Sequence, residues 1–171
     1  RDFVTAEIEI VPAFKARDVG LDRSMIGAYG HDDRVCAYAE LAAIFDAKSP
    51  KKTAVCIFAD KEEIGSEGST GAQGRFLEYC MEDLTEAWEP GTKVRDVFQN
   101  STAVSGDVHA ATDPDWQELH EKLNASIIGH GPTFCKFTGS RGKYGANDAH
   151  PEYIGWLRGV LNRKKIPWQM A

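Results

Sequence analysis

The chain has 171 residues, of which 42% are hydrophobic and 27% are charged, and its formal net charge is −6. This length allows one domain with a hydrophobic core. The negative charge gives no attraction for nucleic-acid phosphates or an anionic membrane surface, and no apolar run approaches the roughly 18 residues of a membrane-spanning helix. We therefore expect a globular protein that binds neither nucleic acid nor membranes.

The first half of the chain alternates between strand and helix patterns. Apolar and polar residues alternate over 3–12, which predicts a strand, and an apolar, β-branched run predicts a buried strand over 52–60. Apolar residues at helical spacing predict helices over 33–48 and 74–88. The next predicted strand, over 101–108, is weak.

The second half of the chain continues the alternation. The same criteria predict, in chain order, a helix over 113–124, a strand over 133–137, a loop over 139–148, a helix over 151–165 and the start of a strand at the C-terminal end. Alternating strands and helices are typical of an α/β fold. We therefore expect a mixed, largely parallel sheet with helices on both faces, in a single domain without a linker.

The four cysteines lie in apolar surroundings, and no two have CxxC spacing; they are Cys36, Cys56, Cys80 and Cys135. This pattern favours reduced core cysteines over disulfides or a zinc cluster. Because reduced cysteines are typical of proteins in reducing compartments, we expect a cytoplasmic location.

Acidic residues lie at the ends of two predicted strands and before the first long predicted helix. "YGHDDR" (29–34) precedes the first long helix, "DKEE" (60–63) ends the apolar strand, and "SGD" (105–107) ends the next strand. Ligands of α/β sheets gather at the carboxyl ends of the strands. Carboxylates there can hold divalent metals while another carboxylate takes a proton from water. A solvated acidic loop is the alternative, and both interpretations stay open on these residues alone.

Four blocks in order narrow this choice: "GHDDRVCAYAEL", "DKEEIGSEGSTGAQ", "SGDVHAA" and "KFTGSRGKYGANDA". With them the chain resembles, over essentially its whole length, the aspartyl aminopeptidase and aminopeptidase I family of dinuclear metallopeptidases. The resemblance implies a zinc-peptidase-like catalytic domain that removes the N-terminal residue of peptides. It also implies two divalent ions, typically zinc but sometimes cobalt or manganese, and a homo-oligomer, often a dodecamer.

The resemblance assigns roles to individual residues. Asp32 matches the carboxylate that bridges the two metals, and Glu62 matches the general base. Glu63 matches a terminal ligand of one ion, and Asp107 matches a ligand of the other. His109 follows Asp107 by two residues and is a candidate for binding the substrate carbonyl, with a solvated histidine as the alternative.

The family pattern also has two histidine ligands, in segments that this chain does not match. We therefore expect residues 1–171 to be the central part of a catalytic domain, without its N-terminal and C-terminal segments and its inserted dimerisation domain. Zinc draws much of its affinity from nitrogen and sulfur ligands, so we expect the chain alone to bind metal poorly and to be inactive. A deacylase on the same two-metal scaffold and a non-catalytic assembly module remain alternatives.

Overall fold

The computed structural model describes residues 2–140 and 144–171. The chain divides into two compact units, Arg1–Val108 and His109–Ala171. None of the helices in the described ranges is long and apolar enough to cross a membrane.

The first unit contains two short strands and four helices: α1 (Asp2–Thr5), β1 (Arg17–Val19), β2 (Met25–Gly27), α2 (His31–Asp46), α3 (Phe76–Trp88) and α4 (Val94–Gln99). Strands β1 and β2 pair as an antiparallel hairpin. In its turn, the backbone N–H of Ser24 donates a 3.2 Å hydrogen bond to Asp22 Oδ1. Hydrogen bonds from Ser24 lower the pKa of the Asp22 carboxyl.

Helix α2 begins with two residues that are not helical. Gly30 before it has φ 69°, a left-handed conformation that glycine adopts without steric cost. Asp32 and Asp33 have ψ values of 113° and 37°, and the peptide bond between them is cis. Regular helix therefore starts only after the two aspartates, which leaves both carboxylates at its N-terminal end.

The described residues of the second unit form four short strands and one α-helix: β3 (Thr133–Phe134), β4 (Phe137–Ser140), β5 (Tyr144–Asp148), α5 (Pro151–Arg163) and β6 (Gln169–Met170). Strand β3 pairs in parallel with β6, and β4 pairs antiparallel with β5. The Gln169 side chain connects β6 with the loop before β3, because its Oε1 accepts a 2.9 Å hydrogen bond from the Ile127 N–H.

The helices predicted over 33–48, 74–88 and 151–165 are confirmed, with ends that agree within two residues. The strand predicted over 133–137 is confirmed at Thr133–Phe134, and the C-terminal strand is confirmed at Gln169–Met170. Long stretches of apolar residues at helical spacing were thus sufficient to find α2, α3 and α5.

Three predicted strands are wrong in the described chain. Residues 3–12 begin with α1 and then carry no regular structure, and residues 101–108 form no strand. Residues 52–60 form only an isolated bridge between Asp60 and Gly71. The periodicity of apolar side chains indicates which face of a segment is apolar. A strand also needs a neighbouring strand that forms hydrogen bonds with its backbone groups.

Two further predictions are corrected. The helix predicted over 113–124 is reduced to a 3₁₀ turn at Gln117–Leu119. The loop predicted over 139–148 contains parts of β4 and β5, while residues 141–143 lie outside the described ranges.

The expected mixed, largely parallel sheet with helices on both faces is not confirmed. The described residues form three two-stranded sheets, of which only the β3–β6 pair is parallel. No hydrophobic side chain in the described ranges is fully buried. The core that the length of the chain predicts is therefore not formed by these residues alone.

Candidate metal centre

Three carboxylates of the first unit lie together. Oxygen atoms of Asp32, Asp33 and Asp107 are all within 4.8 Å of one another. The two aspartates at the start of α2 meet Asp107, which ends the segment 101–107 without regular secondary structure. Asp107 Oδ1 also accepts a 2.7 Å hydrogen bond from the backbone N–H of Val108. Two of the three predicted metal ligands, Asp32 and Asp107, are thus brought to one place.

Glu62 and Glu63 lie on a short 3₁₀ turn, Glu62–Ile64. The turn starts after Lys61, which has φ 62°, and the backbone N–H of Gly65 closes it with a 2.8 Å hydrogen bond to the carbonyl oxygen of Glu62. Adjacent residues on so tight a turn point their side chains in different directions, which permits different roles for the two glutamates.

The loop after this turn folds back onto it. Asp60 donates its backbone N–H to the carbonyl oxygen of Thr70 at 3.0 Å, next to the isolated bridge with Gly71. Gly71 is buried, and a Cβ at this position would overlap the backbone carbonyl of Ser66. The loop can pack this closely against the turn because residue 71 has no side chain.

The negative charges of the acidic cluster act on the Glu62 carboxyl group. The pKa of Glu62 is raised, first by desolvation and then by the negative charges of four other carboxylates, which are Glu63, Asp107, Asp32 and Asp33. A carboxylate whose charged form is disfavoured in this way is a stronger base than an ordinary glutamate. The electrostatics therefore suit the general-base role predicted for Glu62.

Cys36 lies one helical turn after Asp33 on α2. Its pKa is raised to about 12, first by burial, then by a hydrogen bond with Asp33, and further by the charges of Asp33, Asp107 and Glu40. The thiol is therefore protonated at neutral pH. Asp33, Cys36 and Glu40 were not among the predicted site residues, although their spacing along a helix was a signal that they share one face.

The residues of the cluster fit a divalent cation. Asp33 Oδ1 is shielded from solvent and has no hydrogen-bond partner. Such an atom is rare in folded proteins, and a nearby cation would satisfy it. Carboxylate oxygens bind divalent ions, zinc included. Among the described residues no histidine joins this group of carboxylates.

His109 belongs to the second unit, where its Nδ1 atom lies 3.3 Å from the sulfur of Cys135. The contact holds the imidazole ring by one of its nitrogens. The predicted role of His109 in substrate binding stays a prediction. None of the four cysteines, all of which fall in the described ranges, forms a disulfide.

The whole chain, residues 1–171, matches the family model of the aminopeptidase I zinc metalloproteases (M18). The chain belongs to this family. The resemblance inferred from the four sequence blocks is thereby confirmed.

Relatives of this M18 chain are considerably longer. It is 49% identical over 172 residues to a probable M18 family aminopeptidase 1 of Clostridium acetobutylicum, covering 99% of the chain and 37% of the relative. The crystal structure of aminopeptidase I from Clostridium acetobutylicum superposes with a TM-score of 0.88 at 49% identity, over 99% of this chain and 37% of that one. That of an M18 aminopeptidase from Thermotoga maritima gives 0.88 at 46% identity, over 94% and 36%. The chain thus spans just over a third of the length of these relatives.

Proposed function

We propose that this chain contributes catalytic residues to a metal-dependent aminopeptidase, which hydrolyses the N-terminal residue from peptides. The observation that carries the proposal is the meeting of Asp32, Asp33 and Asp107 within 4.8 Å, with Glu62 in reach of their charge, in a chain of the M18 family. A metallopeptidase needs such carboxylates to hold cations and one more to move a proton.

We propose that the centre takes two divalent ions, zinc first, with cobalt or manganese as possible replacements. Asp32 would bridge the ions, Glu63 would bind one of them and Asp107 the other. The clustered carboxylates and the unsatisfied Asp33 Oδ1 support a cation here. Because these ligands are all oxygens, we expect the 171-residue chain alone to hold zinc weakly and to be inactive.

We assign the proton transfers of peptide hydrolysis to Glu62. When bound, divalent ions of this kind act as Lewis acids that make the attacking water more acidic and polarise the scissile carbonyl. The Glu62 carboxylate accepts a proton from the attacking water as the oxygen bonds to the carbonyl carbon. The protonated Glu62 then gives this proton to the leaving amine nitrogen while the peptide C–N bond breaks. Its raised pKa favours the first of these transfers, the uptake of the proton from water.

The substrate class is tested with matched peptides on the full-length protein that contains this chain. We expect release of the N-terminal residue from an unblocked peptide, loss of this activity with a chelator, and its return with zinc, cobalt or manganese. The same peptide with an acetylated N-terminus should not be cleaved. Removal of the acetyl group instead would indicate a deacylase, and no turnover of either peptide would indicate a non-catalytic module.

We propose that His109 contacts the carbonyl group of the substrate. Its Nδ1 contact with the Cys135 sulfur supports a fixed ring, so that Nε2 can present a hydrogen bond in one direction. His109→Ala should raise KM more than it lowers kcat, whereas His130→Ala, a change of an exposed loop histidine, serves as the control. Equal kinetics for the two variants would contradict the assignment.

We also propose that the intact enzyme is a cytoplasmic homo-oligomer, a dodecamer in the form that the family resemblance implies. The many exposed hydrophobic side chains of this chain support contacts with further protein surface. Light scattering on the purified full-length protein gives the subunit number directly. A monomer at micromolar concentration would contradict the proposal, and cell fractionation tests the location.

A further inference from the structure

Gly106 lies against helix α2, immediately before the proposed metal ligand Asp107. A Cβ atom at position 106 would overlap Oε1 of Glu40 and would stand 3.5 Å from the Cβ of Cys36. Gly106 is not among the residues with positive φ. A side chain at this position would therefore displace the Glu40 carboxylate, while the backbone conformation of residue 106 is one that other residues adopt.

Gly106 lies against the side of α2 whose N-terminal end belongs to the acidic cluster. Cys36 and Glu40 lie four residues apart on α2 and so share one face of the helix, and Asp33 stands at its N-terminal end, three residues before Cys36. Asp33 belongs to the cluster with Asp107, and the other two contact the position of the missing side chain. The distance between residue 106 and α2 thus decides how far the Asp107 carboxylate reaches toward Asp32 and Asp33.

We propose that Gly106 is a positioning residue of the metal centre, because the absence of a side chain lets Asp107 approach the start of α2. This inference rests on the proposed role of Asp107 as a metal ligand. The two neighbours respond differently to an added side chain. The Glu40 carboxylate is the end of a flexible chain and can move, whereas the Cys36 Cβ is fixed to the helix backbone.

The difference between the neighbours predicts a graded response. In Gly106→Ala the Glu40 carboxylate must leave its place, and in the β-branched Gly106→Val a further methyl group is directed at the fixed α2 surface. Metal affinity should fall by about 10-fold for alanine and about 100-fold for valine, the range typical of changes beside metal ligands. Gly155→Ala is the matched control, because a Cβ there meets nothing within 4 Å.

The experiment measures zinc affinity by competition with a chromogenic chelator, using the full-length protein and its Gly106 variants. The double variant Gly106→Ala with Glu40→Ala should regain the affinity of Glu40→Ala alone, since the overlapping carboxylate is gone. The unfolding temperature of the metal-free Gly106→Ala protein should equal that of the wild type. A parallel fall in unfolding temperature and affinity that Glu40→Ala does not rescue would mean a general folding defect and overturn the inference.

Asp107→Asn separates this inference from the proposed function. If Asp107→Asn weakens zinc binding while both Gly106 variants bind as tightly as the wild type, the positioning role is wrong and the metal centre stands. If Asp107→Asn leaves zinc binding unchanged, Asp107 is not a ligand and both assignments fail.

Discussion

Glu62 is the residue whose surroundings bear most directly on function. It is exposed, yet desolvation and the charges of the neighbouring carboxylates raise its pKa. Between the ordinary glutamate pKa and this raised value, the folded protein binds more protons than the unfolded chain. The free energy of unfolding therefore decreases as the pH rises through that window.

The pKa of Glu62 should respond to a single charge. In the metal-free protein, Asp107→Asn removes one of the negative charges that act on Glu62 and should lower the Glu62 pKa toward its ordinary value. A carboxyl-detected NMR titration measures this pKa. Glu82→Gln, a change of an exposed glutamate on α3, should leave it unchanged. A Glu62 pKa that is the same with and without Asp107 would show that the two groups do not interact.

The sequence pattern pointed to acidic residues that lie close together, but not to the residues that support them. Acidic residues at element ends were visible as a pattern, and the meeting of Asp32 with Asp107 agrees with it. Asp33, Cys36 and Gly106 were missed because their importance depends on which segment packs against α2. Nothing in the local pattern of residues says that 105–107 does so.

At the scale of elements, the turn that carries Glu62 and Glu63 depends on Gly71. A Cβ at this position would overlap backbone atoms of Ser66 and Glu67, which cannot move aside as a flexible side chain would. Gly71→Ala should therefore destabilise the protein by roughly 1–3 kcal/mol, as overpacking does, and reduce kcat by moving Glu62. Chemical denaturation measures the first effect and steady-state kinetics the second.

Gly155→Ala again supplies the control for this element, because its Cβ has open space. Unchanged stability of Gly71→Ala would mean that the loop 65–74 does not rest on the turn as the structure has it.

The predicted elements divide into two kinds. Helices α2, α3 and α5 satisfy their backbone hydrogen bonds within one segment, so a local pattern was enough to find them. The segments 52–60 and 101–108 carry strand-like residues, but the described chain offers them no ladder partner. Pairing is a property of distant segments, which a single stretch of sequence does not contain.

At the scale of the whole molecule, the exposed apolar residues are the main feature. Val55, Ile57 and Phe58 lie in a segment without regular secondary structure and are 48%, 46% and 54% exposed. Trp88 at the end of α3 is 62% exposed. Full burial of each such side chain stabilises a folded protein by about 1.5–3 kcal/mol. We infer that in the full-length protein further residues cover these side chains.

This inference predicts a difference between two proteins. The 171-residue chain alone should bind the dye ANS strongly, and amides 53–59 should exchange with solvent rapidly. In the full-length enzyme the same amides should be protected and dye binding should be weak. Rapid exchange of these amides in both proteins would show that no further residues cover this segment.

Glu62→Gln in the full-length protein tests whether Glu62 moves the proton in a metal-dependent aminopeptidase. Glutamine keeps the size of the side chain but cannot accept the proton. We predict that kcat for an unblocked peptide falls by about 10²–10⁴-fold while the content of bound metal, measured by atomic absorption, equals that of the wild type and of Glu82→Gln. Full activity of Glu62→Gln with metal bound would contradict the proposed role of Glu62 in proton transfer.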